Sequence, residues 1–102
     1  MATLDGSSVK KLVVACDAGM GSSVMLAGTL RKQLAARGVT VEHSPVSGIP
    51  EDADVVVTHA GLADRARGMV PGTPVVPFQL FIGDPAITRL VNAIQNEETI
   101  DV

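Results

Sequence analysis

The sequence predicts an α/β fold: a three-layer sandwich in which helices cover a four-stranded, mainly parallel sheet, arranged as one Rossmann-like or flavodoxin-like half. Short apolar runs alternate with stretches of helical periodicity in the order β-α-β-β-α-β-α. The 102 residues suffice for one domain with a single core. Because 46% of the residues are hydrophobic but only 2% are aromatic, that core must consist of aliphatic side chains.

The first strand and the helix after it are the most clearly marked elements. The apolar run at residues 12–15, ending at Cys16, is typical of a buried parallel strand. A loop of small residues follows, and leucines then recur at every fourth position, which predicts a helix over residues 22–37. Serines at its start can cap this helix, and Gly38 is suited to end it.

The rest of the chain supplies three more strands and two more helices. A half-polar second strand and a fourth strand with two prolines are typical of sheet edges, and a valine-rich third strand is typical of the centre. Met69 belongs to the predicted inner face of the second helix, and Asp84 before a proline predicts the start of the third. The segments are strands at 39–46, 54–58 and 74–78, and helices at 60–69 and 84–95.

Right-handed crossovers around a central first strand give the strand order 2-1-3-4. We expect a flexible polar leader at residues 1–9, a domain at residues 10–95 and a frayed acidic tail at residues 96–102. In such sheets, ligands bind at the carboxyl ends of the strands, beside the point where successive connections leave in opposite directions. In the predicted order, that point lies at Cys16.

Composition and charge exclude several classes of function. The net charge of −3 and the two aromatic side chains argue against nucleic-acid binding. A single cysteine excludes an internal disulfide and a cysteine zinc site, and it indicates a reducing compartment. We predict no cofactor and no metal. No apolar run reaches the roughly 18 residues that a membrane span needs, so we expect no direct membrane insertion.

The loop after the first strand has the composition of an anion cradle. Glycines let the backbone approach a ligand, successive N–H groups can converge on it, and a helix N-terminus favours negative charge. Cys16, at the mouth of this loop, is a nucleophile as the thiolate. We therefore hypothesise that Cys16 carries a phosphoryl group and that the loop binds it. The loop residues are Asp17, Ala18, Gly19, Met20, Gly21, Ser22 and Ser23.

The uninterrupted run Cys-Asp-Ala-Gly-Met-Gly-Ser-Ser at residues 16–23 closely resembles the active-site segment of the IIB domain of mannitol-type sugar phosphotransferase systems (PTS). The similarity continues through the first helix and through Ala-Asp-Val-Val-Val-Thr-His at residues 53–59. It extends into the helix that carries Leu62 and Arg65, and it covers residues 10–78.

The resemblance implies a phosphoryl relay. The IIB cysteine, here Cys16, accepts a phosphoryl group from a phosphohistidine of an EIIA partner. It then passes the group to a sugar alcohol, mannitol by resemblance, bound in the membrane-embedded EIIC partner. The resemblance also implies a cytoplasmic protein held at the inner face of the cell membrane through EIIC. Family members are often fused to EIIC, so this chain is either a separate subunit or an excised domain; we expect a monomer in isolation.

Two other functions stay open. A low-molecular-weight cysteine phosphatase would share the α/β scaffold, but such enzymes carry an arginine six residues after the cysteine, where this chain has Ser22. Without that bidentate cation, phosphate should be held less tightly and hydrolysed less readily. A regulatory sensor, in which phosphorylation of Cys16 reports sugar flux, would differ from a carrier only in its partner.

Four residues are candidates for partner docking. Met20 and Val24 lie beside the loop, His59 follows the third strand, and Arg31 lies on the first helix. For His59 the alternative is a helix cap or an exposed side chain, and for Arg31 it is a solvated helix face. His43 is interpreted as an ordinary surface residue.

Overall fold

The computed structural model describes residues 3–16, 21–79 and 84–101. Its helices and strands follow in the order β1 (Thr3–Asp5), β2 (Lys11–Cys16), α1 (Gly21–Leu34), β3 (Thr40–Pro45), β4 (Val55–His59), α2 (Ala63–Met69), β5 (Val75–Phe78), α3 (Pro85–Asn96) and β6 (Thr99–Asp101).

Four strands form a parallel sheet in the order β3-β2-β4-β5. The sequence-based prediction numbers only these four strands, starting with the strand at Lys11, so β3, β2, β4 and β5 are its strands 2, 1, 3 and 4. The predicted fold class, an α/β sandwich with a four-stranded sheet, is confirmed. Because β2 is central, its carboxyl end lies between two neighbouring strands. On one side Cys16 pairs with Pro45 of β3, and on the other side Ala15 pairs with Thr58 of β4.

Helices cover both faces of the sheet, and the side chains of β2 alternate between them. Leu12 and Val14 pack into a cluster with residues of α1 and α3. Val13 and Ala15 pack into a second cluster with residues of α2 and of the β3–β4 connection. Continuing the same alternation, the side chain of Cys16 belongs to the α1 and α3 side of the sheet.

The amino end of β2 is fixed by polar contacts. Asp54 Oδ2 accepts hydrogen bonds from the backbone N–H groups of Lys10 at 2.8 Å and Lys11 at 2.9 Å. Lys11 Nζ contacts Asp52 at 2.9 Å and Glu42 at 3.2 Å. Hydrogen bonds to Asp52 and then to Glu42 raise the pKa of Lys11, and the bond from Lys11 lowers the pKa of Asp52.

The two ends of the chain contain strands that the sequence patterns did not predict. Residues 1–9 and 96–102 were expected to be irregular, but β1 and β6 pair as a two-stranded antiparallel sheet, with Thr3 opposite Asp101. Leu4 is buried in the main core and Ile100 packs against it. Burial of these apolar residues explains the strands, and three-residue strands are too short to show a hydrophobic period.

The helices differ from the predictions mainly at their ends. Residues 35–37 of the first predicted helix and residues 60–62 of the second are short 3-10 turns. The prediction that Met69 faces inward is wrong, since the side chain is 49% exposed. The inner face of this short helix is formed instead by Ala63, Ala66 and the following Val70.

Candidate functional site

Cys16 is the last residue of β2, at the carboxyl edge of the sheet, and is 3% exposed. α1 begins at Gly21, so four residues link the central strand to the first helix. Residues 17–20, which include Asp17, Ala18, Gly19 and Met20, lie outside the described residues, as do the side chains of residues 21–23. The cradle formed by these residues therefore remains a prediction.

Among the described residues, the side chain within hydrogen-bond distance of Cys16 Sγ is that of His43 in β3, which the sequence predicts to be an ordinary surface residue. The His43 Nε2 atom lies 3.0 Å from Cys16 Sγ. In the parallel register His43 pairs with Val14, whose side chain lies on the same face of the sheet as that of Cys16. Cys16 is two residues further along β2 than Val14, so the His43 imidazole reaches along the strands toward the carboxyl edge to contact the sulfur. An exposed histidine on an edge strand is thus adjacent to the only cysteine of the chain.

Arg31 binds to the same edge strand. Its Nε donates a hydrogen bond of 2.9 Å to the backbone carbonyl of Val41, two residues before His43. The contact ties α1 to β3. Docking by Arg31 remains a prediction, beside this packing role.

The first turns of α1 expose two apolar side chains. Val24 is 54% exposed and Met25 is 70% exposed. Val24 was predicted from its position after the loop, but Met25 was not singled out. Helical periodicity could have identified Met25, since the next residue, Leu26, begins the buried stripe of the helix.

His59 lies at the end of β4, the strand beside β2. Its Nδ1 accepts a hydrogen bond of 3.1 Å from the N–H of Gly61, which caps the following 3-10 turn. The ring packs edge-on against Phe78, with centroids 6.0 Å apart and an interplanar angle of 87°. These contacts correspond to the capping alternative, and docking by His59 remains a prediction.

Asp84 begins α3, as the Asp-Pro pair predicted. Its Oδ2 accepts from the N–H of Gln79 and its Oδ1 from the N–H of Ala86, both at 2.8 Å, and the residue is 6% exposed. Both carboxylate oxygens are acceptors, which is the geometry of a cap.

Neither a metal centre nor a membrane helix is found in the part of the chain that the structure describes. Among residues 3–16, 21–79 and 84–101, no three side chains of histidine, cysteine, aspartate or glutamate converge on a metal-sized site. Across the same ranges, none of the helices has both the length and the apolar composition to cross a bilayer.

Comparison with known proteins places residues 11–93 in a family described as "PTS system, Lactose/Cellobiose specific IIB subunit". The PTS mannitol-specific cryptic EIICB component of Escherichia coli K12 is 43% identical over 93 residues, covering 89% of this chain and 20% of the relative. The mannitol-specific EIICB component of Geobacillus stearothermophilus is 38% identical over 91 residues, covering 87% and 19%.

A third relative has a further component. The mannitol-specific EIICBA component of Escherichia coli K12 is 40% identical over 95 residues, which cover 90% of this chain and 15% of the relative. The chain thus spans a fifth or less of the length of these curated relatives. The family description names lactose and cellobiose, whereas the names of the three relatives specify mannitol.

Proposed function

Because the chain belongs to the PTS IIB family, we propose that it is a phosphocarrier of a sugar phosphotransferase system and that Cys16 carries the phosphoryl group. The observation that carries this proposal is the position of Cys16. The only cysteine of the chain ends the central strand, at the carboxyl edge, and four residues separate it from the start of a helix. Ligands of parallel α/β sheets bind at that edge, and helix N-termini favour anions.

The chemistry is a transfer in two steps. In the first, Sγ attacks the phosphorus of a phosphohistidine on an EIIA partner, an S–P bond forms and the N–P bond breaks. In the second, a hydroxyl of the sugar attacks the phosphorus and the S–P bond breaks. Backbone N–H groups of the predicted cradle, residues 17–23, would stabilise the phosphoryl oxygens in both steps.

The burial of Cys16 limits where transfer takes place. Since the residue is 3% exposed, its surroundings must move, transiently or on docking of a partner, to uncover Sγ before the phosphorus can approach it. Exclusion of water from the sulfur between the two transfers would protect the thiophosphate from hydrolysis. The exposed Val24 and Met25 on α1 are suited to meet an apolar partner surface.

Mannitol is the sugar we propose, since the three relatives are named mannitol-specific. The relatives join an EIIC component, and in one case also an EIIA component, to the region that matches this chain. We therefore propose EIIA as the donor and membrane-embedded EIIC as the site of acceptance. The domain would then act at the cytoplasmic face of the membrane through EIIC.

The test is intact mass after mixing the chain with phosphoenolpyruvate, the general phosphotransferase proteins and a mannitol-type EIIA domain. We expect the wild type to gain the mass of one phosphoryl group and Cys16→Ser to gain none. Peptide mapping must place the group on residue 16, because a histidine could also accept it. Adding membranes that contain mannitol-type EIIC, with mannitol, should then remove the group and yield a phosphorylated sugar.

Two controls make the result decisive. Circular dichroism should show that Cys16→Ser folds as the wild type does, because a hydroxyl replaces a thiol of similar size. A IIB relative of known competence shows that the partners are active. Phosphate acceptance by Cys16→Ser at the wild-type rate would overturn the role of the cysteine. No added mass on the wild type, with the relative phosphorylated, would overturn the carrier function.

A further inference from the structure

The contact between His43 and Cys16 has the geometry of a base paired with a nucleophile. Activated nucleophiles lie about 2.6–3.2 Å from the group that takes their proton, and the distance here is 3.0 Å. Within the described residues, the hydrogen bond of the His43 side chain is the one to Sγ. The imidazole is held on β3 next to the sulfur, while the ring remains exposed to solvent with which it can exchange a proton.

We propose that His43 is a catalytic residue of the transfer, the general base that takes the proton of the Cys16 thiol. The proposal rests on the phosphocarrier function above and deepens it. It assigns a proton acceptor to a reaction for which the cysteine and its loop supply only a nucleophile and anion-binding groups.

The proposed step moves one proton and one phosphoryl group. The Sγ–H bond breaks and the proton passes to His43 Nε2, which becomes an imidazolium group. The sulfur electron pair forms the S–P bond while the N–P bond of the donor breaks. That electron pair stays on the donor's nitrogen, which takes up a proton from solvent. The imidazolium N–H then points at the sulfur that carries the phosphoryl dianion, and its positive charge favours the product.

The charged groups around His43 bear on the pH dependence of this step. On β2, the Cys16 thiolate stabilises the imidazolium group. On α1, Arg31 donates a hydrogen bond to the carbonyl of Val41, two residues before His43. On β3 itself, Glu42 points to the opposite face and pairs with Lys11 at 3.2 Å.

The first experiment needs no partner protein. The alkylation rate of Cys16 by iodoacetamide is measured against pH for the wild type, His43→Gln and His43→Ala. A glutamine amide can occupy nearly the same place as Nε2 and can donate a hydrogen bond, but it cannot take a proton. Ser44→Ala is the matched control, on the same strand but on the opposite face. At each pH, the rate is divided by the rate for the same variant unfolded in urea, which corrects for the intrinsic reactivity of the reagent.

We expect the wild-type profile to have an inflection between about pH 5 and pH 8, where histidine titrates, and we expect Ser44→Ala to reproduce it. Both His43 variants should lack the inflection and react about tenfold more slowly at neutral pH, because less thiolate is present. A His43→Gln profile like that of the wild type would overturn the proposal. A loss in His43→Ala that His43→Gln restores would also overturn it, because a hydrogen bond alone would then suffice.

The second experiment separates this proposal from the carrier function. His43→Gln should accept phosphate from EIIA about a hundredfold more slowly than the wild type at neutral pH, as expected when a general base is removed. It should recover as the pH rises and the thiol ionises unaided. Equal rates for the two proteins would overturn the role of His43 and leave the carrier function intact. A wild type that accepts no phosphate refutes the carrier function, whatever the alkylation profile.

Discussion

Asp84 is the buried carboxylate on which the junction between β5 and α3 depends. Asp84→Ala removes the acceptor of two backbone N–H groups, those of Gln79 and Ala86. Loss of an N-cap costs about 1–2 kcal/mol, and loss of a second hydrogen bond to a charged acceptor costs about 1.5–3 kcal/mol. Because the site is 6% exposed, water cannot easily replace either bond. We expect the free energy of unfolding to fall by about 2.5–5 kcal/mol.

Urea denaturation followed by far-UV circular dichroism measures this loss, since the chain has neither tryptophan nor tyrosine for fluorescence. Asp84→Asn is the matched control: its single amide oxygen can serve only one of the two N–H groups, so it should lose about half as much. A loss below about 1 kcal/mol in Asp84→Ala would refute the reasoning, because a single average hydrogen bond would account for it. An Asn variant as stable as the wild type would refute the two-acceptor account.

Two further perturbations test the core and the polar contacts of β2. Leu30 in α1 is 0% exposed, and Leu30→Ala should lower the free energy of unfolding by about 3–5 kcal/mol in the same urea assay. The control Thr29→Ala, at an exposed neighbour, should change it little. A loss of under about 1 kcal/mol in Leu30→Ala would contradict the packing described. Asp52→Asn should lower stability at neutral pH, because Lys11 lowers the pKa of Asp52 in the folded state. A lowered folded-state pKa contributes stability above the unfolded value of 3.8, and this is lost as the pH falls through the folded value. The difference from the wild type should therefore vanish in acid.

The main sheet could be predicted from sequence because its strands carry dense, local signals. The three valines of β4, Val55, Val56 and Val57, are fully buried, and Gly38 ends the first helical segment with a φ of 68°. Cys16 could be placed for the same reason, since a buried strand before a glycine-rich loop fixes where the strand ends. These inferences need only neighbouring residues.

The features that were missed depend on contacts distant in sequence. His43 and Cys16 are 27 residues apart and meet only through the register of β2 with β3. A signal was present, since strand order and side-chain alternation together placed His43 beside the first strand and on the face of Val41. Strands β1 and β6 stabilise each other from opposite ends of the chain, so neither segment indicates a strand by itself.

The pairing of β1 with β6 has a consequence for how the domain can be attached. Five residues separate β1 from the start of β2, and β6 pairs with β1. Cys16 is at the other end of β2, about 17 Å from its start at about 3.3 Å per residue. A tether joined to either end of the chain would leave from the side opposite the sulfur. Rotation of the domain about such a tether would move Cys16 through an arc. A single anchor point could therefore let one thiol face two partners in turn.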